Sequence, residues 1–259
     1  MTDQSYAERN KDFCTSSKLK AFQKCPFCFK LECIDMIPNP RAEERDYFTT
    51  GTAFDYVAEQ GGKLDKYEQQ YPIIRKGTKQ YDRAVAEGVT PITGTIDRDV
   101  RAMVHEFKEN PLFVPKIKKE KLIMEFGGLK LKAELDHCDN KNKIIYDLKS
   151  TANIMNFDPS FHVFQQSFYH WMKEELTGER YRVRLLVADK RPSFSRSRVY
   201  EYTEPVLMQA RGLIFPLLEK YKQAHDLGIF LPPEDERECE THDYYGYESH
   251  GRLSRVLYF

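Results

Sequence analysis

The amino-acid sequence predicts an α/β protein with a helical N-terminal elaboration, built as one domain over residues 1–259. Three observations carry this reading. Apolar residues recur at helical spacing before residue 120, the spacing changes to strand alternation from Lys121, and a helical stretch then separates that set of strands from the next. The domain reads in three successive parts: a mainly helical stretch over 1–120, a sheet with its helix over 121–203, and a helix and tail over 204–259. No internal repeat and no long linker divides it.

In chain order, Ser16 or Ser17 caps a short helix through Lys24, with Leu19 and Phe22 inward and Pro26 beyond its end. A second helix runs from near Thr50 to Gln60, where Gly61-Gly62 stops it. Residues 65–95 are polar and mixed. Asp97 begins a helix with Val100, Met103, Val104 and Phe107 on one face, ended by Asn110-Pro111. Leu122–Phe126, Leu129–His137 and Lys143–Lys149 read as strands, separated by Gly127-Gly128 and by the turn Asp139-Asn140-Lys141-Asn142. Phe161 to Leu176 reads as a helix that buries Phe161, Phe164, Phe168, Trp171 and Met172, with Gly178 just past its end. Strands over Tyr181–Ala188 and Ser197–Thr203 and a helix over Glu204–His225 complete the pattern.

Hydrophobic residues make up 41% of the chain and aromatics 13%, which excludes general disorder. No apolar run reaches the roughly 18 residues of a membrane span. The polar N-terminus lacks the apolar stretch of a secretory signal, so a cytosolic location is expected. Forty basic and forty acidic residues cancel, which excludes a general polyanion binder yet hides local polarity. Between Glu179 and Arg198, seven basic residues (Arg180, Arg182, Arg184, Lys190, Arg191, Arg196, Arg198) face two acids. Glu234 to Glu248 holds seven acids against Arg237. The first run suits phosphate and the second repels it; a solvated charged face is the plain alternative. Cys14, Cys25, Cys28 and Cys33 cluster near the start, including a C-x-x-C. Thiols at the end of an apolar helix fit that pattern better than a zinc or iron-sulphur site, since only Cys239 lies in the C-terminal part.

The informative stretch is LKAELDHCDNKNKIIYDLKST. Strand alternation puts Asp147 and Lys149 on one side and Ile144, Tyr146 and Leu148 on the other. The turn folds the preceding strand back, so Asp136 is expected opposite or diagonal to Asp147. Two such carboxylates repel unless a cation sits between them, and hard oxygen donors, with the Leu148 carbonyl as a further one, select Mg²⁺ or Mn²⁺. Metal-assisted phosphodiester hydrolysis is the chemistry this set supports, with Lys149 orienting water or stabilising developing charge. An isolated D-x-K is more simply a cross-strand ion pair.

Its company changes the weighting. Ser17-Lys-Leu-Lys-Ala-Phe-Gln-Lys-Cys25-Pro26, Gly51-Thr-Ala-Phe-Asp55, Glu134-Leu-Asp136, Asp147-Leu-Lys149-Ser-Thr151 and Gln165-Gln-Ser-Phe-Tyr169 follow in that order. This pattern resembles the PD-(D/E)xK nuclease superfamily in its RecB-like and lambda-exonuclease-like branch, with phage and prophage RecE-type exonucleases most similar. The resemblance spans about residues 16 to 190. It implies a restriction-endonuclease-like core, a central mixed sheet flanked by helices. It makes Asp136 and Asp147 metal ligands, Lys149 the catalytic lysine, and Gln165 and Tyr169 the Q-x-x-x-Y pair bordering the site. The family places a metal-binding His where this chain has Asp55, an oxygen donor that keeps ligation possible. Glu125 is a further acidic candidate. Arg75, Lys79, Thr151, Arg182 and Arg184 are expected to contact DNA, and Tyr or Phe side chains to stack on a splayed terminal base.

The resemblance further implies a Mg²⁺-dependent exonuclease, with Mn²⁺ an alternative ion, acting on ends of linear double-stranded DNA in phage-type recombination within a bacterial cell. A homo-oligomer and a single-strand annealing partner go with that reading. An endonuclease, a helicase-associated nuclease, and a non-catalytic DNA-binding protein of the same fold remain alternatives.

Overall fold

The computed structural model describes residues 10, 12–35, 37, 46–109, 118–190 and 197–231. Asn110, Pro111, Arg191, Arg196, Cys239 and the acidic run 234–248 lie outside them. Contacts divide the chain into two discontinuous compact units. The first comprises Met1–Thr2, Glu44–Leu122 and Glu134–Leu207; the second comprises Asp3–Glu43, Ile123–Ala133 and Met208–Phe259.

In the second unit, α1 (Ser16–Lys24) is capped by Thr15, whose hydroxyl accepts from the Lys18 N–H, one residue before the cap expected from sequence. Pro26 does not end the helical region. It opens a short helix, α2 (Pro26–Phe29), which runs into a π-turn over Lys30–Ile34. Phe22, Phe29 and Tyr221 pack edge-to-face, with centroids 5.3–5.8 Å apart, and Phe230 completes the cluster.

The first unit contains α3 (Asp46–Glu59), α4 (Tyr67–Gln70), α5 (Lys79–Ala86) and α6 (Gly94–Glu109). The short helices α4 and α5 fall in the stretch that gave no periodic signal. Gly61 and Gly62 follow α3 at positive φ, as their type allows. The α6 face Val100, Met103, Val104 and Phe107 is buried as its spacing predicts.

Strands β1 (Glu120–Phe126) and β2 (Leu129–Leu135) form a two-stranded ribbon. The expected strand Leu129–His137 is broken: a bend at Asp136 separates β2 from β3 (His137–Asp139), which joins a different sheet. That sheet has the order β3-β4-β5-β6, with β4 (Ile144–Thr151), β5 (Arg182–Asp189) and β6 (Ser197–Tyr202). The pair β3/β4 is antiparallel, β4/β5 parallel and β5/β6 antiparallel. The β3/β4 turn closes because the Asp139 carboxylate accepts from the N–H groups of Lys141 and Asn142, while Lys143 adopts φ 57°. A parallel pair needs a crossover, supplied by two 3₁₀ turns (Ile154–Asn156, Pro159–His162) and α7 (Val163–Thr177), which Gly178 ends in the left-handed conformation. The last helix, α8, runs over Glu204–Leu227.

One face of the four-stranded sheet is covered by α3 and α6. Phe54, Val57, Val100, Met103 and Phe107 join Ile144, Tyr146, Leu148 and Leu186 in one core. Phe161 departs from expectation: it is 76% exposed. It lies on a 3₁₀ turn, so the 3.6-residue phase that buries Phe168 and Trp171 begins only at Val163.

Candidate active site

The centre of the site is β4. Its Ile144, Tyr146 and Leu148 enter the helix-covered core, so alternation sends Asp147 and Lys149 to the opposite face. Asp147 is nearly fully buried, 2% exposed. The Lys149 ammonium lies 2.7 Å from its Oδ2, an ion pair. Asp147 Oδ2 is buried and, among the described residues, that ammonium is its one polar partner. Asp136 arrives from the break between β2 and β3. The register His137↔Tyr146 extrapolates to Asp136 opposite Asp147. Freed from the strand, Asp136 turns its Oδ2 diagonally to accept from the Leu148 N–H at 2.8 Å.

The fourth group comes from α3. A Cβ at Gly51 would meet Ser150 Oγ at 3.7 Å, ordinary contact, so this face of α3 lies against the end of β4. Asp55 follows one turn later on the same face. Burial, reinforced by the charge of Asp136 and opposed by Lys149, lifts its carboxyl to about 8. Burial and then the Asp147 charge lift Asp136 to about 6. For Lys149, burial disfavours the ammonium, but Asp147 and Asp136 outweigh it and hold its pKa above the ordinary lysine value. The cluster therefore gathers partly buried negative charge that Lys149 alone does not balance.

These residues fit a hydrated divalent ion. The donors are hard oxygens: the carboxylates of Asp136 and Asp147, with Asp55 near them, and the Leu148 carbonyl. Asp147 Oδ2 retains acceptor capacity, and the raised carboxyls register repulsion that a cation relieves. Among the described residues, no three His, Cys, Asp or Glu side chains form a ready metal cage.

The remaining expected site residues are distributed as follows. Gln165 Nε2 donates to the Tyr169 hydroxyl at 2.6 Å, so the i, i+4 pair is joined on α7. The Thr151 hydroxyl accepts from the Asn153 N–H and shapes the turn after β4. Arg75 and Lys79 are exposed before and at the start of α5. Arg182 and Arg184 lie at the other end of the parallel pair, beside Ile144 and Tyr146 rather than Lys149. At about 3.3 Å per residue, Arg182 is set back roughly 16 Å along the strand from Lys149. Both arginines meet Glu201, at 3.8 and 2.6 Å. Glu125 is exposed on β1 in the second unit. Cys25 Sγ accepts from the Cys28 N–H, and both sulphurs sit in an apolar cluster with Phe27 and Leu31.

Sequence reasoning missed Lys119 and Glu59. Lys119 pairs with Glu59 at 2.5 Å. Burial works against its ammonium, yet Glu59, Asp136 and Asp55 raise its pKa. It is a second cation beside the carboxylates. Its sequence signal is slight: Asp55 and Glu59 at i, i+4 mark one acidic helical stripe, but nothing local joins Lys119 to it.

Three comparisons bear on this geometry. The family model described as PD-(D/E)XK nuclease superfamily matches residues 14–240. Among solved structures, one named "Putative exonuclease", from Eubacterium rectale, is 17% identical, with 92% of this chain and 90% of that chain covered and a TM-score of 0.69. At that identity the likeness concerns the fold. A second, SSO0001, is also 17% identical over 62% of this chain and 72% of its own, but its TM-score of 0.29 carries no argument. No curated protein matches.

Proposed function

We propose, because the chain belongs to the PD-(D/E)XK nuclease superfamily, that this nuclease is a Mg²⁺-dependent exodeoxyribonuclease acting on the ends of linear double-stranded DNA. Nucleases of this superfamily generally use divalent metal ions. The observation that carries the reading is the convergence of Asp136, Asp147 and Lys149. One carboxylate is tied to the Leu148 N–H at 2.8 Å, and the other is paired to the ammonium at 2.7 Å.

In this reading Asp136, Asp147, Asp55 and the Leu148 carbonyl hold the ion, with Mn²⁺ able to replace Mg²⁺. Once bound, it supplies Lewis acidity toward the phosphate and the attacking water. The Leu148 N–H fixes the Asp136 carboxylate before substrate arrives, so little reorganisation remains. Lys149, held charged at neutral pH by Asp147 and Asp136, donates to the phosphate as negative charge grows on it and keeps its own proton. Asp147 anchors that ammonium. Gln165 and Tyr169 form one polar unit that borders the scissile phosphate. Arg75, Lys79 and Thr151 contact the strand backbone. Exonuclease specificity is supported by the RecE-type motif order and by the fold shared with the Eubacterium rectale protein. A homo-oligomer, a single-strand annealing partner and a role in phage-type recombination in the bacterial cytoplasm belong to the same proposal.

The test compares linear and covalently closed circular duplex DNA with Mg²⁺, Mn²⁺ or EDTA. Linear DNA is expected to be degraded and circles to resist, with EDTA abolishing activity. Asp147→Ala and Lys149→Ala are expected to lose about a hundredfold or more. Cutting of closed circles establishes the endonuclease alternative. Variants as fast as wild type overturn the assigned centre.

A further inference from the structure

Three consecutive residues at the start of β1 are tied to three different elements. The Lys118 N–H donates to His137 Nδ1 at 3.2 Å, and His137 directly follows Asp136. The Lys119 ammonium lies 2.5 Å from Glu59 Oε1 on α3. The buried Lys173 ammonium, on α7, donates to Glu120 Oε1 at 2.6 Å. All of these residues belong to the first compact unit. With its neighbours on both sides fixed, Lys119 reaches the turn of α3 that follows Asp55 from a backbone anchored beside Asp136. Both carboxyls register its charge, since Lys119 opposes the upward shift of Asp55 and of Asp136.

Lys119 and Glu59 therefore act on the centre by charge, with Glu59 engaged by the ammonium rather than turned to a metal. Ionised, Asp55, Asp136, Asp147 and Glu59 carry four negative charges, and Lys149 and Lys119 carry two positive ones. The excess of two equals the charge of one divalent ion. A charged group that is not a ligand changes how tightly ions bind, and how many, without changing the atoms that touch them. Each member of the pair pulls in the opposite direction to the other.

We infer that the Lys119–Glu59 ion pair holds the centre to a single divalent ion: Lys119 keeps a second cation out, and Glu59 keeps Lys119 from weakening the first. This rests on the metal reading of the centre made under the proposed function, but it is read by ion binding and the nuclease by cleavage.

The experiment titrates the full, metal-stripped chain with Mn²⁺ alone, in the absence of DNA, and counts bound ions by electron paramagnetic resonance at constant pH and low salt. Wild type is expected to bind one Mn²⁺, and Asp147→Ala to lose it. Lys119→Met is expected to bind the first ion about tenfold more tightly and to admit a second, and Glu59→Gln to bind about tenfold more weakly. The double variant Glu59→Gln/Lys119→Met restores the charge excess of two and is expected to bind one ion with wild-type affinity. Lys119→Arg keeps the charge and should match wild type. These shifts should shrink as salt is raised, because the pair is partly exposed, at 40% and 32%. The same exposure should leave each variant folded, which a melting curve checks. A double variant as weak as Glu59→Gln would make Glu59 a ligand and overturn the inference. Two ions in wild type overturn it as well, as do single variants that shift affinity in one direction or leave it unchanged. If the variants bind Mn²⁺ in the expected order but wild type hydrolyses no DNA, the role of the pair stands and the nuclease proposal falls. If hydrolysis requires Mn²⁺ and Asp147 while both single variants bind the ion like wild type, the reverse holds.

Discussion

At the C-terminal end of β4, buried Asp147 and the partly buried Lys149 lie close to Asp136 and Asp55, both partly buried, with more negative than positive charge. At the beginning of the same parallel pair, Arg182 and Arg184 point toward Glu201, and Arg180 toward Glu204, in surface ion pairs. The two clusters draw on the same residue types within one sheet. In the first, burial leaves the charges unbalanced and shifts their proton affinities; in the second, water and matched partners balance them. Surface pairs of the second kind contribute about 0–1 kcal/mol each. The unbalanced end is where the proposed function puts a cation and a phosphate.

The largest expected separation between the two regions is kinetic. Asp136→Ala should reduce DNA hydrolysis by about a hundredfold or more, whereas Arg184→Ala should change it by less than about threefold. A comparable loss in both would show that the arginine cluster also meets the reacting strand.

The next effect is on stability, and its sign depends on pH. Asp55 and Asp136 are raised from 3.8 to about 8 and about 6, so the ion-free fold favours their protonated forms. Their penalty on stability is absent below about pH 4, grows through the window up to those values and is complete above pH 8. A divalent ion needs the ionised carboxylates and offsets that penalty, so binding releases protons. The melting temperature should rise on adding Mg²⁺ or Mn²⁺ by an amount that increases from pH 6 to pH 8.5, on the order of 5 °C at the upper end. Asp55→Asn should melt higher than wild type at pH 8 without metal and respond less to it. A metal-induced shift independent of pH would contradict the clustered carboxylates.

The smallest expected effect belongs to the balanced cluster. Glu201→Gln removes the partner of Arg182 and Arg184 and should alter stability by no more than about 1 kcal/mol. It should tighten DNA binding at low salt by a few-fold, an effect that disappears as salt is raised. Tightening that survives high salt would mean that these arginines already touch DNA and that Glu201 masks them.

Much of this arrangement was legible before folding. The alternation in Ile144–Thr151 placed Asp147 and Lys149 on one face, and the Asp139–Asn142 turn brought Asp136 across from them, because both depend on neighbours in the chain. The helical spacing of Val100, Met103, Val104 and Phe107 identified a buried stripe for the same reason. Phe161 misled, since a 3₁₀ turn before Val163 shifts the phase by less than a turn and composition does not register it. The bend at Asp136 was invisible too. Leu129–His137 alternates without interruption, and only the pairing of its two halves with different sheets breaks it.

Residue order alone established the class of elements, the D…D-x-K set and the family pattern, because periodicity and motif spacing are properties of a chain and its near neighbours. Tertiary structure decided which charges went unbalanced. It seated Asp55 of α3 beside β4, brought in Lys119 with Glu59, and paired the arginines with Glu201. Those outcomes depend on how far water is excluded and on which distant side chain arrives first, and neither is encoded in local spacing.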